Sequence, residues 1–153
     1  MKITVLWVGK TQEEWIRRGI EEYSGRIRRY NQLVIAEAKE EKGGVAELMR
    51  EREGERLARL IPKNSRLILL DERGDGMTSP EFAGFLARSR DSGVSDLVFA
   101  IGGPYGYSDG FRGRADKTIA LSRMTLTHQM VRVFLLEQIY RGFTIINNEP
   151  YHH

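Results

Sequence analysis

Leu97-Val98-Phe99-Ala100-Ile101-Gly102-Gly103-Pro104-Tyr105-Gly106 is the stretch on which the fold turns. Five apolar residues run without a polar interruption and stop at a pair of glycines. That is the pattern of a strand buried on both faces, and such strands belong to parallel sheets covered by helices. The pattern recurs outward in both directions. Arg66-Leu67-Ile68-Leu69-Leu70-Asp71 is a second continuous apolar strand, and Ile3-Thr4-Val5-Leu6-Trp7-Val8 is a third, ending at Gly9. Leu33–Ala36 and Thr118–Leu121 read as shorter strands. Helical spacing fills the gaps. Trp15, Ile16, Ile20, Tyr23 and Ile27 predict a helix from Gln12 to about Arg29, with Thr11 and Glu14 spaced as a capping box. Val45–Leu60 is a charged and therefore peripheral helix. Ser79-Pro80-Glu81 opens a helix that ends at Gly93. A short helix near Asp109–Ala115 and a longer one over Gln129–Gly142 complete the chain. Glu72–Gly76 and Ser122–Thr127 read as loops. Strands alternating with helices make one α/β domain over residues 1–153, with a mostly parallel sheet and helices on both faces.

Composition removes whole classes of chemistry. There is no cysteine among the 153 residues, so disulfides, thiol nucleophiles and cysteine-held metals are out. The three histidines are not spaced as a helical metal pair, and no metal site is expected. No apolar run is long enough for a membrane span, and Met1-Lys2-Ile3 does not open a signal peptide, so a soluble cytoplasmic protein is expected. The net charge of +3 is unevenly placed. Arg112, Arg114, Lys117, Arg123, Arg132 and Arg141 face only Asp116, Glu137 and Glu149 in the last quarter, which fits an anionic partner or, more plainly, a solvated helix face.

Ligands of open α/β sheets bind outside the carboxyl ends of the strands. Three such ends carry turns suited to a nucleoside: after Leu70-Asp71, across Gly102–Gly106, and over Leu121-Ser122-Arg123-Met124-Thr125-Leu126. Glycines let a ligand approach main-chain N–H and C=O groups, and Leu70, Leu121, Met124 and Leu126 suit the faces of an adenine. Gly9-Lys10-Thr11 imitates the end of a phosphate-binding loop, but its first glycine is replaced by Thr4. Asp71, Glu72 and Asp75 are candidates for magnesium or simply solvated turn residues. His128, at the start of the last helix, is a candidate general base or a local backbone partner.

At these loops the sequence resembles the SPOUT, or α/β-knot, methyltransferases, and within them the bacterial enzymes that methylate N3 of a pseudouridine in large-subunit ribosomal RNA. The resemblance rests on Ile101–Gly106, Leu121–His128, the segment Val131–Arg141 and the ending Asn148-Glu149-Pro150-Tyr151-His152, and it extends over the full length. It implies a C-terminal deep trefoil knot, which periodicity does not suggest. It implies a homodimer, S-adenosyl-L-methionine as cofactor, and a substrate in the large subunit or the assembled ribosome. By matching position, Leu70, Gly102, Gly103, Leu121, Ser122, Arg123, Met124, Thr125 and Leu126 would bind the cofactor. His128, Arg132, Arg141, Tyr151 and His152 would form the catalytic set. Alternatives are a SPOUT enzyme of transfer RNA and a catalytically silent RNA- or nucleotide-binding module. Family members often carry proline beside this histidine; Thr127 and Gln129 stand there instead, which predicts a looser helix start. The apolar face Val131, Phe134, Leu135 and Ile139 is the expected dimer surface.

Overall fold

The structure is a computed structural model that describes residues 1–153. Five strands, β1 (Lys2–Val8), β2 (Leu33–Ala38), β3 (Ser65–Gly76), β4 (Asp96–Ile101) and β5 (Lys117–Ala120), alternate with five helices. The helices are α1 (Glu14–Ile27), α2 (Ala46–Leu60), α3 (Ser79–Asp91), α4 (Asp109–Arg112) and α5 (His128–Ile146). All pairings are parallel and the strand order is β2-β1-β4-β3-β5. No helix is long and apolar enough to cross a membrane.

The two-residue period of the strands divides the core into two layers. Ile3, Val5, Trp7, Ile68, Leu70 and Phe99 face the layer of α1, α3 and α5. Leu6, Val8, Leu67, Leu69 and Val98 face α2 and α4, where Leu57 and Phe111 meet them. Helices therefore cover both faces, as the uninterrupted apolar strands require.

Two glycines set the spacing on the first face. A Cβ on Gly19 of α1 would lie 2.7 Å from Val133 Cγ2 of α5, and one on Gly142 of α5 would lie 2.8 Å from Leu86 Cδ1 of α3. Gly142 is thus a packing position, and α5 continues past it to a cap at Asn147. The expected helix end at Gly142 falls one turn short because close helix approach and helix termination both favour glycine.

The caps also differ from expectation. Glu13, not Thr11, precedes α1, and it makes no side-chain cap bond. Thr11 Oγ1 instead accepts from Arg132 at 3.0 Å. Thr78 caps α3 in a reciprocal box with Glu81, which frees the Ser79 hydroxyl to donate to Gln138 of α5 at 2.7 Å.

Glu72–Gly76 is not a loop but the outer arm of β3. Ile119 of β5 stands in register with Leu70 and again with Asp75, so β3 engages β5 twice across a break in register. Gly74 makes this possible. A Cβ there would stand 2.7 Å from main-chain atoms of Thr118.

Candidate functional site

The carboxyl ends of β3 and β4, with the loop after β5, open into one cavity of about 660 Å³. That volume suits a cofactor-sized ligand. Leu70, Gly102, Gly103, Leu121, Ser122, Met124, Thr125 and Leu126 all line it, joined by Val131 and His128 from α5. Arg123, in the middle of the third loop, is exposed and does not line it. The loop is held in place by side chains: Ser122 Oγ accepts the Met124 N–H at 2.9 Å, and the Thr125 hydroxyl donates to Glu72 on the β3 arm.

The two glycines of the middle loop serve a different purpose from the one their position suggests. Their missing Cβ atoms would meet the protein's own atoms rather than open cavity space. On Gly102 a Cβ would stand 3.2 Å from the Tyr107 ring, and on Gly103 it would stand 3.0 Å from Glu53 Oε1 and 3.4 Å from Val8. Only Gly106 in this loop has a positive φ, +81°. Tyr107 is buried beneath the loop, its hydroxyl 2.6 Å from the Ala100 carbonyl and 3.0 Å from that of Leu70. It ties the ends of β3 and β4 together under the cavity floor, and burial raises its pKa.

Charge at the cavity wall is held in fixed pairs. Burial opposes ionisation of Asp71, but the Arg73 N–H at 2.9 Å and the Arg112 guanidinium at 2.7 Å outweigh it and hold the carboxyl below its ordinary range. Glu72 is bonded to Thr125 and Asp75 to Lys117, so the three acids weighed for magnesium face separate partners; no group of three His, Asp or Glu converges anywhere. His128 stands at the cavity rim. Burial, then the charge of Arg132, lowers its pKa, leaving a neutral imidazole at pH 7 able to accept a proton. Its helix start is firmly held. Thr127 caps it through the Met130 N–H, and Gln129 bonds both the Lys10 carbonyl and the Gln12 N–H. With Thr127 and Gln129 beside the histidine, the helix start is capped and tethered to the β1–α1 loop rather than loosened.

A family model described as a predicted SPOUT methyltransferase matches residues 1–152. The chain belongs to the SPOUT methyltransferase family. A protein of Geotalea uraniireducens (strain Rf4) named "Ribosomal RNA large subunit methyltransferase H" is 74% identical over 153 residues, the full length of both. One of the same name from Geobacter sulfurreducens (strain ATCC 51573 / DSM 12127 / PCA) is 71% identical, again over both full lengths. Among solved structures, a probable methylase family protein from Haemophilus influenzae Rd KW20 superposes with a TM-score of 0.56 at 9% identity, over 99% of this chain and 70% of that one. This last likeness concerns the fold alone.

The remaining candidates of this SPOUT methyltransferase fall into two further places. Arg132 is fully buried, with no exposed surface. It donates to the Val8 carbonyl at 2.7 Å and to Thr11 at 3.0 Å, and its guanidinium lies 4.9 Å from the Trp7 ring. No carboxylate pairs with it, and it does not reach the cavity. Arg141, Tyr151 and His152 form a separate cluster around Glu137. Arg141 binds Glu137 at 2.5 Å and His152 Nδ1 at 3.2 Å, and the Tyr151 hydroxyl donates to Glu137 at 3.1 Å. Tyr151 also packs edge-on against Tyr140 at 4.7 Å. Thirteen residues of α5 separate Arg141 from His128, about 20 Å along the helix axis. The expected dimer face divides as well: Leu135 and Ile139 are fully buried in the chain's own core, while Val131 and Phe134 are half-buried. Tyr107 and Arg112 also line the cavity, and no motif singles them out, since their place there depends on what the fold brings beside them.

Proposed function

We propose that this chain transfers the methyl group of S-adenosyl-L-methionine to N3 of a pseudouridine in large-subunit ribosomal RNA, in the cytoplasm and on the large subunit or the assembled ribosome. The observation that carries this reading is the cavity: three strand-end loops meeting in one chamber, with His128 at its rim. Relatives named for large-subunit ribosomal RNA at up to 74% identity support the substrate. The lining fits the cofactor. Leu70, Leu121, Leu126 and Val131 offer apolar faces to an adenine, the Gly102–Gly106 main chain offers hydrogen-bonding groups, and Glu72, which has no cationic partner, favours a cation.

The bound donor supplies an electrophilic methyl carbon on a sulfonium. The protein's part is positioning and proton handling. The N3 proton of pseudouridine is imide-like, and His128 accepts it as N3 attacks. Arg132 holds the end of β1 against α5 and so fixes the histidine. Arg141, Tyr151 and His152 act on the RNA, but a cluster about 20 Å from His128 along the same helix serves a cavity of another copy. This separation supports a homodimer in which each tail completes the partner's site.

The double engagement of β5 by β3, with Gly74 pressed on the β5 main chain, supports the knot. The chain leaves β5 at one edge of the sheet, yet Gln129 and Arg132 are bonded to residues at the end of β1, two strands beyond β3.

The test supplies labelled S-adenosyl-L-methionine with whole ribosomes, isolated large subunits or transfer RNA, followed by mass mapping. Label on a pseudouridine of the large-subunit RNA is expected. Label on transfer RNA, or none on any RNA, overturns the reading in favour of another SPOUT substrate or a silent binding module.

A further inference from the structure

Glu53 on α2 is the one acidic side chain withdrawn from water, with 2% of its surface exposed. Its Oε2 accepts the Glu41 N–H at 3.0 Å, and its Oε1 has no hydrogen-bond partner. That free oxygen faces Gly103, close enough that a Cβ there would stand 3.0 Å away. The carboxyl therefore backs the glycine loop on the side opposite the cavity.

The charges around it do not neutralise it. The β2–α2 connection brings Glu40 and Glu41, and α2 itself brings Arg56. The Arg56 guanidinium is occupied by the Lys39 carbonyl at 2.9 Å and by Glu41 at 2.6 Å. The end of β1 offers Val8, and the glycine loop carries no charge. A buried carboxylate without a cation is expensive, and a neutral acid is the cheaper form. Burial raises its pKa, and Glu40 adds to the rise.

We propose that Glu53 is a positioning residue for the methyl donor: its carboxyl, pressed on Gly103 from behind, sets the depth of the Gly102–Gly106 main chain in the cavity. The inference rests on the reading that this cavity holds S-adenosyl-L-methionine. The neutral acid keeps the loop seated. Ionisation puts an unpaired charge beneath it, which is relieved when the loop shifts and water enters. Donor affinity then falls as Glu53 loses its proton.

The experiment is isothermal titration of the full-length protein with S-adenosyl-L-methionine from pH 4.5 to 9. It uses the unaltered chain, Glu53→Gln and Glu53→Asp, with thermal melts of each. Glu53→Gln keeps the shape and the neutral state. It is expected to bind within about threefold of the unaltered protein at the acid end of the range and to weaken less as pH rises. Glu53→Asp withdraws the carboxyl by one methylene and is expected to bind at least tenfold more weakly at every pH. The amino group of the ligand titrates near pH 8 in every sample, so the difference between proteins isolates Glu53. The expected kinetic signature is a raised KM for the donor with an unchanged KM for ribosomes. Equal pH dependence for Glu53→Gln and the unaltered protein, or undiminished binding by Glu53→Asp, overturns the proposal alone. No binding by the unaltered protein overturns the cavity reading and the proposal with it.

Discussion

Replacing Arg132 separates a catalytic from an architectural arginine. Its side chain is fully buried and bonds the Val8 carbonyl and the Thr11 hydroxyl across the junction of β1, α1 and α5. Truncation in Arg132→Ala leaves a void on the scale of a large core deletion, about 3–5 kcal/mol. Arg132→Met refills most of that space. It leaves the two acceptors unpaired, at roughly 1–3 kcal/mol each, but removes a buried cation that has no carboxylate partner, a relief of several kcal/mol. The Met variant is therefore expected within about 2 kcal/mol of the unaltered protein. For a chain of this size that is a melting shift of under about 8 °C, against roughly 10–15 °C for Ala. Calorimetry reads the stability, titration reads donor binding, and labelled methyl transfer to ribosomes reads activity. In the Met variant, transfer and binding are expected to decline together and modestly. A Met variant that melts and binds the donor normally yet loses transfer more than about 1000-fold would refute the reasoning, because only a guanidinium touching the reacting atoms behaves so.

The other expectations concern the loops, the base and the tail. Gly74→Ala drives a Cβ into the Thr118 main chain and is expected to cost at least about 2 kcal/mol, whereas Gly110→Ala, with open space around it, is neutral in the same melt. Tyr107→Phe removes the hydroxyl shared by Ala100 and Leu70 and is expected to cost about 1–3 kcal/mol and weaken donor binding; an unchanged titration counts against its role under the cavity. The His128 pKa is lowered in the folded chain, so the unfolded chain binds that proton more readily and stability falls as pH drops below about 6.5. A ring titration by NMR with a midpoint above 6.5 contradicts the lowered pKa, and an acid limb of the transfer rate that survives His128→Gln excludes the histidine as base. Deleting Pro150–His153 is expected to abolish transfer and, because Tyr151 packs on Tyr140 and bonds Glu137, to cost about 1–2 kcal/mol; transfer at the normal rate would show the tail dispensable.

How far the fold is legible depends on which force sets each feature. The five strands and both helix layers follow from apolar periodicity, and Ile3, Ile68 and Phe99 are buried where that pattern puts them. Features set by tertiary contact are hidden. Gly19 and Gly142 look like weak points or ends of helices, and only the presence of Val133 and Leu86 shows them to be contact positions. Glu72–Gly76 has the glycine and acid content of a loop, yet it pairs with β5 because that strand passes beside it. No local propensity encodes such a neighbour.

The site divides along the same line, and charge shows why. A count of residues leaves three extra cations in the last quarter of the chain and suggests a basic surface. The folded chain disposes of most of them: Arg112 is paired with Asp71, Lys117 with Asp75 and Arg141 with Glu137, and Arg132 is sealed in the core. Two of those acids come from β3, more than forty residues away in sequence, so the pairing is invisible to a local tally. Of the six, only Arg114 and Arg123 are left both exposed and outside any ion pair. With two free cations in this quarter, general attraction to phosphate at this end gives little selectivity, and recognition here comes from shape. A rigid cavity with main-chain walls, a tethered histidine and a tail locked to its own helix by Tyr151 is the kind of surface that reads a preformed RNA fold rather than a flexible strand.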